Sequence, residues 1–282
     1  MPTQIELLKK YNLRVRGHLG QHLLLDPNII RKTVDALELR PGEAVLEIGP
    51  GLGAVTREVL ERGHPVLAVE KDARFSEVLS RELVPEYGEN FTLVQGDILQ
   101  GDLTALVTGW KRGSPVKVLG NLPYYISTPI LFHLIDHAKV FSRAVLMLQK
   151  EVAARLLAKA GDEDYSRLSV TGLFYGEPRF LFDVSPSCFL PRPQVMSRVV
   201  SFRFRPYPGA ERAGDPAKLM EILRVAFGQR RKTLLALLAH HYRTRIARED
   251  LARTFETLGL SVRVRGEELS LDRFLDLART LE

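Results

Sequence analysis

The residues best suited to chemistry fall in four short stretches, each placed where an apolar run of strand length gives way to a turn. The first is Glu47-Ile48-Gly49-Pro50-Gly51-Leu52-Gly53-Ala54, a glycine-rich turn leading into a segment of helical period. Glycines there let the backbone turn tightly and approach a ligand with no Cβ in the way. Gly49, Gly51 and Ala54 also satisfy the spacing G-x-G-x-x-G/A, so an oxidoreductase binding a nicotinamide dinucleotide must be weighed beside other nucleotide-like ligands. Glu70 closes the second run, 19 residues after Gly51, where a carboxylate can accept from both hydroxyls of a ribose. Asp97, in Gln95-Gly96-Asp97-Ile98, closes the third and can accept from an exocyclic adenine amine. Two carboxylates at neighbouring strand ends beside a glycine turn describe an adenosine pocket better than a pyrophosphate one.

The fourth stretch, Gly120-Asn121-Leu122-Pro123-Tyr124-Tyr125, carries the reactive possibility. An aromatic amine is a poor nucleophile because its lone pair is delocalised into the ring. The carbonyl of Asn121 and a main-chain carbonyl, both aimed at the amino hydrogens, can draw the nitrogen toward tetrahedral geometry. Pro123 removes a competing N–H and stiffens the loop, and Tyr124 offers a face for an extruded base.

The elements that must position these residues are readable from periodicity. Apolar clusters at Ala44 to Ile48, Pro65 to Glu70, Phe91 to Val94, Val116 to Leu119 and Ala144 to Leu148 alternate with amphipathic stretches such as Val55 to Arg62, Ala73 to Leu83 and Glu151 to Ala160. Such alternation predicts βαβ units and a buried parallel sheet. Leu173 to Tyr175, Phe180 to Val184 and Val199 to Phe204 follow with short connections and are expected to finish the sheet as antiparallel strands. Pro206, Pro208, Gly209 and Gly214 then mark a linker. Beyond it the period is helical throughout: Leu219, Ile222, Leu223, Ala226 and Phe227 fall on one face, and Leu234 to Leu238, Leu251 to Leu258 and Leu269 to Leu281 repeat the theme. The expected division is an α/β domain over residues 1–206 and a small all-helical domain over 207–282.

Composition agrees with an ordinary globular chain: 282 residues, 45% hydrophobic and 26% charged, which excludes a disordered or fibrous protein. The formal charge is +6, and Ser201 to the end holds 16 basic against 11 acidic residues, so nearly all the surplus lies in the helical part and suits a polyanionic partner. Arg230, Arg231 and Lys232 are the densest basic cluster, with Lys9, Lys10, Arg14 and Arg16 a second near the N-terminus. Cys188 is the single cysteine, which excludes an internal disulfide and suits a reducing compartment. With no apolar run of signal-peptide or membrane-spanning length, a cytoplasmic protein is expected. His240 and His241 lack metal-ligand spacing and read as helix-end residues, so no metal is expected.

The glycine turn, Glu70, Asp97 and Asn121-Leu122-Pro123-Tyr124, in this order, resemble an S-adenosylmethionine-dependent N6-adenine methyltransferase. Four further blocks are similar to the KsgA-type ribosomal RNA small-subunit adenine dimethyltransferase family: Leu19 to Asp26, Leu148 to Val152 with Ser166 to Val170, Cys188 to Val195, and Ala226 to Thr233. The resemblance runs nearly end to end. It implies a Rossmann-like class I methyltransferase with a mostly parallel seven-stranded sheet, acting as a monomer on small-subunit rRNA within a pre-30S particle. It implies that His22, Leu24, Gly49, Gly51, Glu70, Asp97 and Asn121 bind S-adenosylmethionine. Asn121, Pro123 and Tyr124 would hold the target amine, Phe189 would stack on the adenine, and Arg230, Arg231 and Lys232 would contact RNA. The loop around Tyr124 and Tyr125 would then set the room left for a first methyl group. His22, Leu23 and Met196 depart from the family pattern of Asn, Phe and Asp. Two related readings stand beside it: a large-subunit rRNA methyltransferase of the erythromycin-resistance type, and an assembly factor that binds RNA without catalysis.

Overall fold

The computed structural model describes residues 2–17, 20–110, 115–205, 207 and 215–281. Leu19 of the upstream block and the linker residues Pro206, Pro208, Gly209 and Gly214 lie outside them. The strands are β1 (Leu23–Leu24), β2 (Val45–Ile48), β3 (Val66–Glu70), β4 (Phe91–Gln95), β5 (Val116–Asn121), β6 (Phe141–Gln149), β7 (Gly176–Val184), β8 (Phe189–Leu190) and β9 (Ser197–Phe204). Seven form one sheet in the order β4-β3-β2-β5-β6-β9-β7. The pairs from β4 to β6 are parallel and β9 runs antiparallel to β6. β2 and β3 are buried at every position, as a sheet covered on both faces requires. Lys117 is the exception within β5. Its buried Nζ is satisfied by Glu43 Oε2 and by the Glu38 carbonyl, each at 2.6 Å.

The chain leaves β2 toward β3 on one side and returns to β5 on the other, so the crevice at the carboxyl ends of β2 and β5 is the topological switch point. Register aligns those ends: Ile48 stands opposite Val69 and Gly120, and Glu70 opposite Gln95. The glycine turn, Glu70, Asp97 and Asn121 therefore follow one another along a single edge. Gly49, Gly51 and Gly53 all take positive φ, at 65°, 61° and 78°. Close packing adds to that demand, because a Cβ on Gly51 would sit 2.9 Å from Leu23 Cδ2 and one on Gly53 2.8 Å from Leu79 Cδ2.

Three features differ from the sequence reading. Leu173 to Tyr175 are the last turn of a helix, Arg167–Tyr175, not a strand. Ser169 Oγ accepts from the Ser166 amide at the start of that helix, and Phe174 is buried from it. Residues Gln4–Lys10 form a helix opened by a Thr3 and Glu6 capping box, with Leu7 buried and Lys10 paired to Glu82 at 2.6 Å. Finally, β1 and β8 pair antiparallel as a separate two-stranded ribbon, Leu23 opposite Leu190 and Leu24 opposite Phe189.

Two compact units result, and the chain crosses between them three times rather than once. One comprises Met1–Ala153 and Glu177–Arg205; the other comprises Ala154–Gly176 and Pro206–Glu282. The expected boundary at 206 is thus one of three. Tyr165, Val170 and Phe174 belong to the second unit because they are buried in its core with Leu219, Phe255 and Phe274. Tyr165 Oη also donates to the Leu269 carbonyl at 2.9 Å. Gly53→Ala should cost about 1–2 kcal/mol of stability, measured by urea unfolding, because Ala must hold the left-handed conformation at the start of the helix Ala54–Glu61.

Candidate active site

A cavity of about 250 Å³ opens at the switch point. Its floor is Glu47 to Gly51 and its sides are Glu70, Asp97 and Asn121 with Pro123. The segment Gly20 to Leu24 and Gln4 of the N-terminal helix close it from above the strand ends. Of the residues expected to bind cofactor, His22, Leu24, Gly49, Gly51, Glu70, Asp97 and Asn121 all line this one cavity.

Glu70 is buried and acts on the backbone around it. Its Oε2 accepts from the Gly51 amide at 3.0 Å and its Oε1 from the Asp72 amide at 2.8 Å, so one carboxylate fixes both the glycine turn and the loop after β3. Burial pushes its pKa up, against the pull of those two amides. Asp97 is held at 2.7 Å by Lys71, which lowers its pKa and keeps it an acceptor. Asp72 takes the Arg74 guanidinium and the Gln21 amide, and these pairings lower it to about 2.

Sequence reasoning missed Glu47. Its side chain is buried, lines the cavity, and has Oε2 without a hydrogen-bond partner. Burial raises its pKa to about 7. The available signal was a carboxylate inside the otherwise apolar run Val45-Leu46-Glu47-Ile48. Two buried carboxyls, Glu47 and Glu70, at its floor make the cavity a poor site for a diphosphate. The Gly51 amide that a dinucleotide turn would offer to pyrophosphate is already donated to Glu70.

Asn121, the last residue of β5, donates from Nδ2 to the His22 carbonyl at 2.8 Å. With the nitrogen so engaged, Oδ1 is the end of the amide that can accept from a ligand. The His22 ring meets the Pro191 carbonyl through Nδ1 at 2.7 Å and lies 5.3 Å from the Tyr124 ring at 30°. Tyr124 Oη shares a hydrogen bond of 2.7 Å with Ser197 Oγ, a buried group at the start of β9. Ser197 is a second residue the sequence reading passed over. Pro123 accepts from the Ile126 amide at 3.1 Å, which closes the loop into a short turn. Tyr125 is exposed and rests an edge against Gly20.

Two groups of expected site residues sit in settings that the sequence did not show. Phe189 is only 2% exposed and packs in the apolar core with Leu24, opposite which the β1–β8 ribbon holds it. It offers no open ring face to a base in this structure. Arg230, Arg231 and Lys232 lie on an exposed turn after the helix Pro216–Ala226. Arg230 is tied to Glu267 at 2.8 Å and to the Glu163 carbonyl at 2.7 Å. Among the described residues no cluster of three or more His, Cys, Asp or Glu is arranged to hold a metal ion. None of their helices is long and apolar enough to cross a membrane.

Sheet order, switch-point cavity and the Asn121 loop define a Rossmann-like class I methyltransferase. Residues 12–279 match the family described as Ribosomal RNA adenine dimethylase, and the chain belongs to that family of enzymes. Proteins named Ribosomal RNA small subunit methyltransferase A are similar over almost the whole length. The one from Aromatoleum aromaticum is 44% identical over 92% of this chain and 91% of its own. That from Moorella thermoacetica is 38% identical over 99% and 96%. A dimethyladenosine transferase from Plasmodium falciparum superposes with a TM-score of 0.73 at 29% identity, covering 90% of this chain and 95% of that one. The 23S rRNA methyltransferase ErmE, at 24% identity and a TM-score of 0.65, shares the fold.

Because its folded-state pKa is raised, Glu47 binds a proton in the folded protein that the unfolded chain releases from about pH 4.5 upward. Its contribution to stability therefore falls as pH rises from that point to about 7. Glu47→Gln should match the wild type in urea unfolding near pH 4.5 and exceed it at pH 8 by on the order of 1–3 kcal/mol.

Proposed function

We propose that this enzyme transfers methyl groups from S-adenosylmethionine to N6 of two adjacent adenosines in a hairpin near the 3′ end of small-subunit rRNA. The products are dimethyladenosines, made during late subunit assembly. The observation that carries the reading is the bond from Asn121 Nδ2 to the His22 carbonyl, which commits the amide oxygen to the role of acceptor.

S-adenosylmethionine supplies a methyl group activated on a sulfonium. The cavity suits such a molecule by its polar groups: Glu70 and Asp97 can accept from ribose hydroxyls and an adenine amine, and Gly49 and Gly51 let the ligand approach the backbone. Leu24 and the backbone around His22 would close over it. At the adjoining loop Asn121 Oδ1 accepts from the target amine, which localises the nitrogen lone pair. Pro123 holds the loop in its turn, and Ser197 fixes the rotation of the Tyr124 hydroxyl and hence the ring against which the base would rest. No side chain has to act as a strong base, because an alkylated amine loses its proton readily to water.

Membership of an adenine dimethylase family speaks against the nicotinamide oxidoreductase, and the acid-lined cavity speaks against a factor that only binds RNA. The names of the full-length relatives favour the small subunit over the large. Arg231 and Lys232, exposed on their turn, are the side chains available for phosphates.

Transfer of labelled methyl from S-adenosylmethionine to isolated small subunits, with large subunits in parallel, tests the substrate. Label is expected on small subunits only, and equal labelling of large subunits would overturn the assignment. Asn121→Ala should lower kcat by about 10²–10³-fold, the scale of losing one aimed polar contact to the reacting centre. Arg231→Ala with Lys232→Ala should weaken RNA binding and reduce the slope of log K against log salt by roughly 1–2, read from titrations at several salt concentrations.

A further inference from the structure

Exposed apolar side chains are unevenly distributed. Of seven large ones among the described residues, Tyr125, Leu190, Val195 and Met196 belong to the segments that meet around the Asn121 loop. Their neighbours place them there: Gly20 lies against the Tyr125 ring, Leu190 pairs with Leu23, and Met196 precedes the Ser197 that holds Tyr124. Tyr125 also lines the cavity, so its exposed ring stands at the mouth of the site, where a ligand can cover it.

Tyr125 is the most exposed of them, at 62%. Its position is fixed from one side. A Cβ on Gly20 would approach its Cδ1 to 3.1 Å and its Cε1 to 3.3 Å, so the ring packs directly on glycine backbone. Gly20 in turn belongs to the segment whose His22 carbonyl orients Asn121. The ring is thereby held in register with the amine-binding carboxamide four residues earlier, while most of its surface faces solvent.

Resting on the rRNA reading above, we propose that Tyr125 is a stacking platform for the unpaired base directly adjoining the target adenosine. Chain connectivity supports this occupant. Stacked nucleotides of one strand are only about 3.4 Å apart, so when one base enters the pocket its neighbour must rest at the rim. Aromatic faces bind unpaired bases without regard to sequence, and Arg192, exposed beside Pro191, is available to the intervening phosphate. For two adjacent target adenosines, the same ring serves whichever one is waiting.

The test uses the full chain with S-adenosylhomocysteine and a hairpin RNA carrying 2-aminopurine next to the target adenosine. Stacking on Tyr125 quenches the probe. Quenching is expected in the wild type and in Tyr125→Phe. In Tyr125→Leu, which keeps apolar packing on Gly20 but has no ring, quenching should be lost and the RNA Kd should rise about tenfold. Unchanged quenching in Tyr125→Leu overturns the proposal, as does wild-type binding with no change in emission. Failure of the wild type to methylate the unlabelled hairpin in S-adenosylmethionine would instead count against the substrate reading.

Discussion

One hydrogen bond joins parts of the chain that nothing in local structure would bring together: Asn121 Nδ2 to the carbonyl of His22. Asn121 ends a central strand and is therefore rigidly placed by the sheet. His22 belongs to a segment that has almost no regular structure of its own beyond the two residues of β1. The bond transfers the precision of the sheet to that segment. It also makes the N-terminal region a part of the site, since the same stretch supplies Gln21 to Asp72 and the backbone on which Tyr125 rests.

Electrostatics complete the selection that geometry begins. The cavity concentrates carboxylates, and the lysine beside it is neutralised by Asp97. Glu70 spends its charge on two backbone amides, which is how a buried carboxylate is made tolerable. Glu47 has no such compensation at Oε2 and is left sensitive to what occupies the space beside it. A doubly wound fold is thus directed away from diphosphates by the same turn that would otherwise bind them.

How much of this was legible depends on what the sequence encodes in side chains. β2 to β6 were readable because a parallel sheet buried on both faces demands uninterrupted apolar runs, and Glu70, Asp97 and Asn121 because they end those runs. Glu47 was hidden inside such a run. The role of His22 lies partly in its main-chain oxygen, which carries no residue-specific signal. Phe189 could be core or stacking surface on composition alone, and its packing opposite Leu24, far away in sequence, is visible only in the structure. Leu173 to Tyr175 were too short to display a period. The helix they finish is recognisable only with Ser166 and Ser169 at its start.

The threefold crossing of the chain has a practical meaning. Because Ala154–Gly176 is woven into the core of the helical unit, that unit is not a detachable tail. Cutting the chain at the end of β9 would yield a C-terminal fragment stripped of Tyr165 and Phe174, which belong to its core. Each unit is assembled from two separate stretches of chain, so neither can be excised as one continuous piece.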